Sequence, residues 1–170
     1  MIITSVLDYW VDIFTVALRD DTTDELKMNL IKKAPFQDDP VRQAPYLLIG
    51  ENDYKGVVPN AVVEIGGPMN WDVYLSIKAS PKVQKTTQRA YYLVDLLAQR
   101  IVYLIRQHSM TQAQYGNVQL QNRDWMLIEK VHHKVYGGEG EWLSYARVDF
   151  FQRVSEVGPY PYGAYPGTIL

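Results

Sequence analysis

Seven apolar residues, Ala90, Leu93, Val94, Leu97, Ile101, Leu104 and Ile105, recur at i, i+3, i+4 and i+7 through one stretch of the chain. A helix with a single apolar stripe must lay that stripe against another layer. Ser80-Pro81 supplies a start signal, since Pro is tolerated in a first helical turn. The helix is expected from about Lys82 to Gln107 and to end near His108-Ser109. Just upstream, Trp71, Val73, Leu75 and Ile77 alternate with Asp72, Tyr74, Ser76 and Lys78, the period of a half-buried strand. A strand feeding a long amphipathic helix fixes the class as sheet plus covering helices.

Other segments fit that frame. Residues 4–18 predict a shorter helix, capped by Thr4 or Ser5, with Val6, Trp10, Ile13, Phe14 and Ala17 on one face. Residues 23–45 suit a short strand or a turn of helix, then an irregular connection broken by Pro35, Pro40 and Pro45. Tyr46-Leu47-Leu48-Ile49 between Pro45 and Gly50 predicts a buried strand. Val57–Ile65 predicts a bent extended segment, closed by Gly66-Gly67-Pro68. Thr111–Gly116 is expected to be a polar linker. Val118–Tyr136 predicts strands with a break near Gln121–Asp124, and Trp125, Leu127, Glu129 and Val131 alternate with Met126, Ile128, Lys130 and His132. Gly137-Gly138-Glu139-Gly140 is a turn, and Trp142–Val154 the returning strand.

The expected architecture is α+β. It is a mostly antiparallel sheet of four to five strands with two helices packed on one face and a long terminal β-hairpin. A single domain over residues 1–156 is followed by an extended arm over 157–170. That arm holds Pro159, Pro161 and Pro166 with Tyr160, Tyr162 and Tyr165, a composition that forms neither helix nor central strand. Tyr occurs 13 times in the chain. Such enrichment suits both an interaction surface and a Tyr-rich β surface.

Composition narrows the chemistry. The chain has 170 residues and no Cys, which removes disulfides, thiolate zinc sites, iron–sulfur clusters and cysteine nucleophiles. Seventeen Lys and Arg against nineteen Asp and Glu give a net charge of −2, unlike a dedicated nucleic-acid binder. The start, Met1-Ile2-Ile3-Thr4, lacks a basic region, and the apolar run Tyr91–Ile105 is interrupted by Asp95, Gln99 and Arg100, so no membrane association is expected. Phosphate-loop, H-E-x-x-H and G-x-S-x-G motifs do not occur. His132 and His133 are adjacent on a strand and face opposite ways, which does not suit one metal. His108 sits at a helix end, where a partly charged ring interacts well with the dipole. Asp20-Asp21, Asp24-Glu25 and Asp38-Asp39 lie in loop-like sequence, where solvated charge is the simplest reading. Lys82, Lys85 and Arg89 cluster at the front of the long helix, suited to a phosphate or to an acidic protein surface. Neither catalytic residues nor cofactor nor metal is expected.

Three stretches carry a resemblance. They are Ala44-Pro45-Tyr46-Leu47-Leu48-Ile49-Gly50-Glu51, Trp71-Asp72-Val73-Tyr74-Leu75-Ser76-Ile77 running into the long helix, and the closing strand Ser144-Tyr145-Ala146-Arg147-Val148-Asp149-Phe150-Phe151. Together with the order of elements they resemble the tail terminator (tail completion) proteins of tailed bacteriophages, over about residues 1–155. The resemblance implies a homo-oligomeric ring, usually a hexamer, located in the tail or neck of the virion and assembled in the host cytoplasm. Such a ring caps the tail tube, ends its polymerisation and meets the head-side connector or neck protein. A sheath is a further partner where the tail is contractile. No specific nucleic-acid binding is implied, although DNA passes through the lumen of such rings, and no chemistry is required.

On this reading the expected contact residues are Tyr160, Tyr162, Tyr165 and Leu170 in the arm, with Gly138, Glu139 and Trp142 at the hairpin tip. The arm is expected to lie across a neighbouring subunit or ring, and the tip to project toward a partner or the lumen. The alternatives are another neck ring (a connector or head-completion protein) and a small-ligand-binding or enzymatic α+β domain. A buried polar cluster in a pocket between sheet and helices would favour the last.

Overall fold

The computed structural model describes residues 2–33, 45–59, 70–108, 112–115, 118–121 and 126–156. In chain order the elements are α1 (Ile2–Thr15), β1 (Leu30–Lys33), β2 (Tyr46–Glu51), β3 (Val57–Pro59), β4 (Asn70–Ser80), α2 (Thr87–His108), β5 (Gln112–Tyr115), β6 (Val118–Gln121), β7 (Met126–Gly138) and β8 (Glu141–Glu156). The expected arm, 157–170, lies outside the described residues, as do Asp38-Asp39, the 60–69 segment and Trp125.

The architecture is α+β, with two helices against one mostly antiparallel sheet. Among the described residues the sheet has eight strands rather than four to five. β1 and β3 fall within 23–45 and 57–65, where the sequence predicts a short strand or turn of helix and a bent extended segment, and β5 is the strand in a segment expected to be linker. The central pair is β4 and β8, in register from Asn70↔Ser155 to Ala79↔Ala146. β2 and β3 share the other edge of β4, and β6 and β7 share the other edge of β8. β1 adds to β2 in parallel. The expected polar linker at 111–116 contains β5, which pairs with β6 from Gln112↔Gln121 to Tyr115↔Val118. Backbone pairing of this kind needs no apolar alternation, so a polar strand resembles a linker in sequence.

All seven stripe residues of α2 are buried. Leu93, Leu97, Ile101, Leu104 and Ile105 meet Val73, Leu75 and Ile77 of β4 and Val148 and Phe150 of β8, together with Val6, Trp10 and Phe14 of α1, in one core, and Val94 packs with Ala98 and Ala146 beside it. Burying side chains of this size contributes about 1.5–3 kcal/mol each before conformational entropy is subtracted. The single buried core on one side of the sheet therefore sets the position of both helices.

Three helix boundaries differ from expectation. α1 starts at Ile2, so Thr4 and Ser5 lie inside it rather than capping it. Its end continues as a π-helical turn over Val16–Asp20, closed by the Asp21 amide donating to the Val16 carbonyl at 2.9 Å and by the Thr22 hydroxyl donating to the Ala17 carbonyl. α2 starts at Thr87, not near Ser80-Pro81. Ser80 closes β4 instead, its hydroxyl donating to the Ser144 carbonyl at 2.6 Å. Gln84 and Trp142 then exchange backbone hydrogen bonds at 2.8 and 3.0 Å, holding the connection extended. The helix begins after Thr86, whose hydroxyl accepts from the Arg89 amide at 3.2 Å.

β7 contains a bulge between Ile128 and Lys130. One extra residue reverses the alternation beyond it. Ile128 lies opposite Phe150 and Val131 opposite Val148, so the two share the helix-covered side. The alternation in the sequence alone places Val131 with Leu127 instead. Among the described residues no helix is long and apolar enough to cross a membrane.

Candidate functional site

Long strands normally satisfy both edges or protect the free one. β8 is paired on both sides, to β4 and to β7 and β6. β7 is paired on one side only among the described residues, although it is 13 residues long. Its other edge faces outward beside the last turns of α2. There the helix and the strand diverge, leaving a groove of about 660 Å³ lined by Tyr103, Ile105, Arg106, Met126, Leu127 and Ile128. Ile105 and the core-packed Met126 and Ile128 form its apolar floor. Tyr103 stands at its rim, 64% exposed, while Leu127, 59% exposed at the same strand end, shares the other face of the sheet with its partner Phe151. An unpaired strand edge beside an apolar groove offers backbone hydrogen bonds and side-chain pockets together, the arrangement that accepts an added strand.

The sheet face away from the helices carries a polar and aromatic ladder. Ser76 donates to Asp149 Oδ1 at 2.5 Å, and Arg147 Nε donates to the same oxygen at 3.0 Å. Asn52 Nδ2 donates to Ser76 Oγ at 3.0 Å, and Arg147 also faces Asp53 at 3.7 Å. Arg153 Nε donates to Asp72 Oδ1 at 2.8 Å, the cross-strand partner fixed by register. Tyr74 packs on Phe151 with ring centroids 5.4 Å apart. Arg147 and Arg153 are thus matched by carboxylates, while Lys78 and Lys134 on the same face lie over the rings of Tyr145 and Tyr136.

The bulge links this ladder to the free edge. Glu129 has no register partner on β8, and its carboxylate accepts from Lys55 Nζ at 2.8 Å. That bond raises the Lys55 pKa above its usual value. Lys55 also lies 4.8 Å from the centre of the Tyr74 ring. The turn after β2 is thereby tied to β7, three strands across the sheet.

A second groove, about 760 Å³, opens at the start of α2 and includes Lys27, Lys82, Lys85 and Arg89. The basic cluster read from sequence is therefore gathered there. It is not uniformly basic. Glu25 receives the Arg89 guanidinium, and Arg100 donates to Asp24 at 3.0 Å. The Arg100 hydrogen bond, then the Leu26 amide, lower the Asp24 pKa. The expected solvated pair Asp24-Glu25 is thus engaged with two arginines of α2.

At the hairpin tip, Gly138 pairs with Glu141, leaving Glu139 and Gly140 as a two-residue turn with φ of 57° and 82°. Both values are positive, the requirement of a type I′ hairpin. The tip residues Gly138 and Glu139 are exposed. Trp142 is not free to project with them, because its backbone is bonded to Gln84. The arm residues Tyr160, Tyr162, Tyr165 and Leu170 lie outside the described residues.

The three histidines are separated. His132 lies opposite Arg147 and His133 opposite Ala146, on opposite faces of β7. His133 Nε2 stands 3.8 Å from Asp95 Oδ1 of α2. His108 is packed against Trp10 and Tyr9, and burial lowers its pKa, favouring the neutral ring over the charged one expected at a helix end. Among the described residues no three His, Asp or Glu side chains converge as a metal site. Between sheet and helices, Trp10 and Gln152 form a buried hydrogen-bonded pair, and the buried Nε2 of His133 faces Asp95 of α2.

Sequence reasoning missed the groove. Its available signal was Tyr103, an aromatic residue outside the α2 stripe that nothing in the chain's own core requires. No protein-family model matches this chain, and the curated proteins searched contain no significant match to it.

Proposed function

We propose that this chain is a structural assembly protein that closes into a homo-oligomeric ring. Its specific role is that of a phage tail terminator, capping the tail tube, ending its polymerisation and presenting a surface to the head-side connector. One observation supports the ring above the others. Among the described residues the sheet is unpaired along two opposite edges, β1 on one side and the long β7 on the other. A ring uses two different surfaces of each subunit in head-to-tail contacts that close. Two dissimilar open edges on one rigid sheet provide such a pair of surfaces. The charge is compatible with this role: the net charge is only −2, and the arginines of the outer sheet face are paired with carboxylates. The choice of a tail, rather than another ring, rests on the sequence resemblance at Ala44–Glu51, Trp71–Ile77 and Ser144–Phe151.

Light scattering on the purified protein at two concentrations, with and without tail-tube protein, tests the proposal. A closed ring, or a monomer that forms one on addition of tube protein, is the expected result. A monomer at both concentrations that ignores tube protein overturns it. Particles assembled without this protein test the specific role: overlong tails are expected, whereas normal tails on heads that leak DNA assign it to the connector side instead.

A further inference from the structure

We propose that the groove between α2 and the free edge of β7 receives the Tyr/Pro arm of a second copy of this chain, with Tyr160 and Tyr162 as its anchors. The inference deepens the ring reading and rests on it for the presence of a neighbouring copy.

The chemistry of the arm fits an added edge strand. Residues of a strand alternate the side on which their backbone groups lie. Pro159 and Pro161 are two apart, so both missing N–H groups fall on the same side. Gly158, Tyr160, Tyr162 and Ala164 then keep their N–H and C=O groups on the other side. Pro is accepted in a strand when its nitrogen faces away from the partner. The arm can therefore bond β7 through its even-numbered residues and end at Pro166. The same alternation puts the Tyr160 and Tyr162 side chains on one face, about 7 Å apart. No residue of 157–170 carries a charged side chain, so docking into the apolar floor of Ile105, Met126 and Ile128 strands no charge.

Chain length selects a neighbour's arm over the chain's own. β8 ends at Glu156, opposite Val118 of β6, whereas Met126 lies opposite Gln152. To lie outside β7 at Met126, the chain must return about 13 Å along β8 and cross two strand spacings, about 10 Å, a separation of about 16 Å. Tyr160 is four residues past Glu156 and reaches at most about 14 Å. The β6–β5 hairpin also occupies the direct route in the plane of the sheet. An arm from a neighbouring copy has neither constraint.

The absence of native Cys makes the test clean. Two full-length single-Cys proteins of different tag size, Tyr103→Cys at the groove rim and Tyr162→Cys, are mixed and oxidised. A disulfide-linked heterodimer on a non-reducing gel is expected. It should be lost when Val16→Cys, exposed at the end of α1, replaces Tyr103→Cys. An equal band from that control pair, or no band from the first pair, overturns the inference. So does a disulfide confined to one chain in the Tyr103→Cys/Tyr162→Cys double variant. Unmodified protein that forms rings while the cross-link fails refutes the arm contact alone. A cross-link without rings refutes the ring alone.

Discussion

Trp10 Nε1 donates to Gln152 Oε1 at 2.8 Å, joining α1 to β8 across 142 residues of chain. Both side chains are fully buried. The indole also meets Phe14 and Phe150, with centroids 5.7 and 5.3 Å away. A polar group on the core face of a central strand is costly unless paired. Here the pairing fixes where the N-terminal helix crosses the sheet. Gln152→Met should cost about 1–3 kcal/mol in urea unfolding, because it leaves the indole N–H without its acceptor. Combining it with Trp10→Phe should cost less than the two single changes added together. Additive costs would show that the hydrogen bond contributes nothing.

His108 sits beside the same aromatic cluster, and burial lowers its pKa from the ordinary 6.5. The unfolded chain takes up this proton near pH 6.5, whereas the folded protein takes it up only at lower pH. Between those two values the unfolded state binds more protons, so stability rises with pH and falls on acidification. Urea midpoints should drop between pH 7.5 and pH 5.5, and His108→Gln should flatten that drop. An unchanged slope in the variant would assign the acid sensitivity to other groups.

Glu139 holds a φ of 57° in a turn that favours Asn or Gly. A left-handed residue without such a side chain costs about 1–2 kcal/mol. Glu139→Asn should therefore raise the melting temperature, by a stabilisation on the order of 1 kcal/mol. The neighbouring Gly137 behaves oppositely. Its φ is 136°, and a Cβ there would approach the Glu141 carbonyl oxygen at 2.2 Å. Gly137→Ala should destabilise the hairpin, and both variants are read in one thermal melt series.

How legible each part was follows from the range of the forces that set it. The α2 stripe and the Trp71–Ile77 alternation are repeated local choices, so their period survives in the sequence. The β7 phase does not, because the bulge after Ile128 is decided by pairing with Phe150 and Asp149 some twenty residues on. Ser80-Pro81 imitates a helix start, yet Ser80 is held by the Ser144 carbonyl and Gln84 by Trp142. The basic cluster at Lys82, Lys85 and Arg89 was visible, but the acidic residues that share its groove come from before β1. The groove between Tyr103 and β7 depends on β7 having one paired edge among the described residues, a property of topology rather than of any local stretch.

Arg147 tests whether the outer ladder is structural. Its guanidinium serves Asp149, whose side chain is 15% exposed, as well as Ser76 and Asp53. Arg147→Met keeps the stem and removes the charge, leaving Asp149 half-served by Ser76. The expected loss is about 1–3 kcal/mol, the range for a hydrogen bond to a charged group. Arg19→Met, which breaks a pair exposed on both sides, should lose less than about 0.5 kcal/mol. Equal losses would mean that the ladder is screened like any surface pair.

Tyr103 separates folding from assembly. It is 64% exposed on α2, outside the buried stripe, so a polar side chain fits there without disturbing the core. Tyr103→Glu should leave the urea midpoint nearly unchanged, within about 0.5 kcal/mol, as expected of surface changes. The same change places a carboxylate at the rim of the apolar groove, where an uncharged arm would have to desolvate it. Self-association measured by light scattering should therefore weaken by at least about tenfold, equivalent to 1.4 kcal/mol. Tyr103→Ala should act in the same direction. A mass distribution identical to that of the unmodified protein in both variants would remove this groove from the assembly contact.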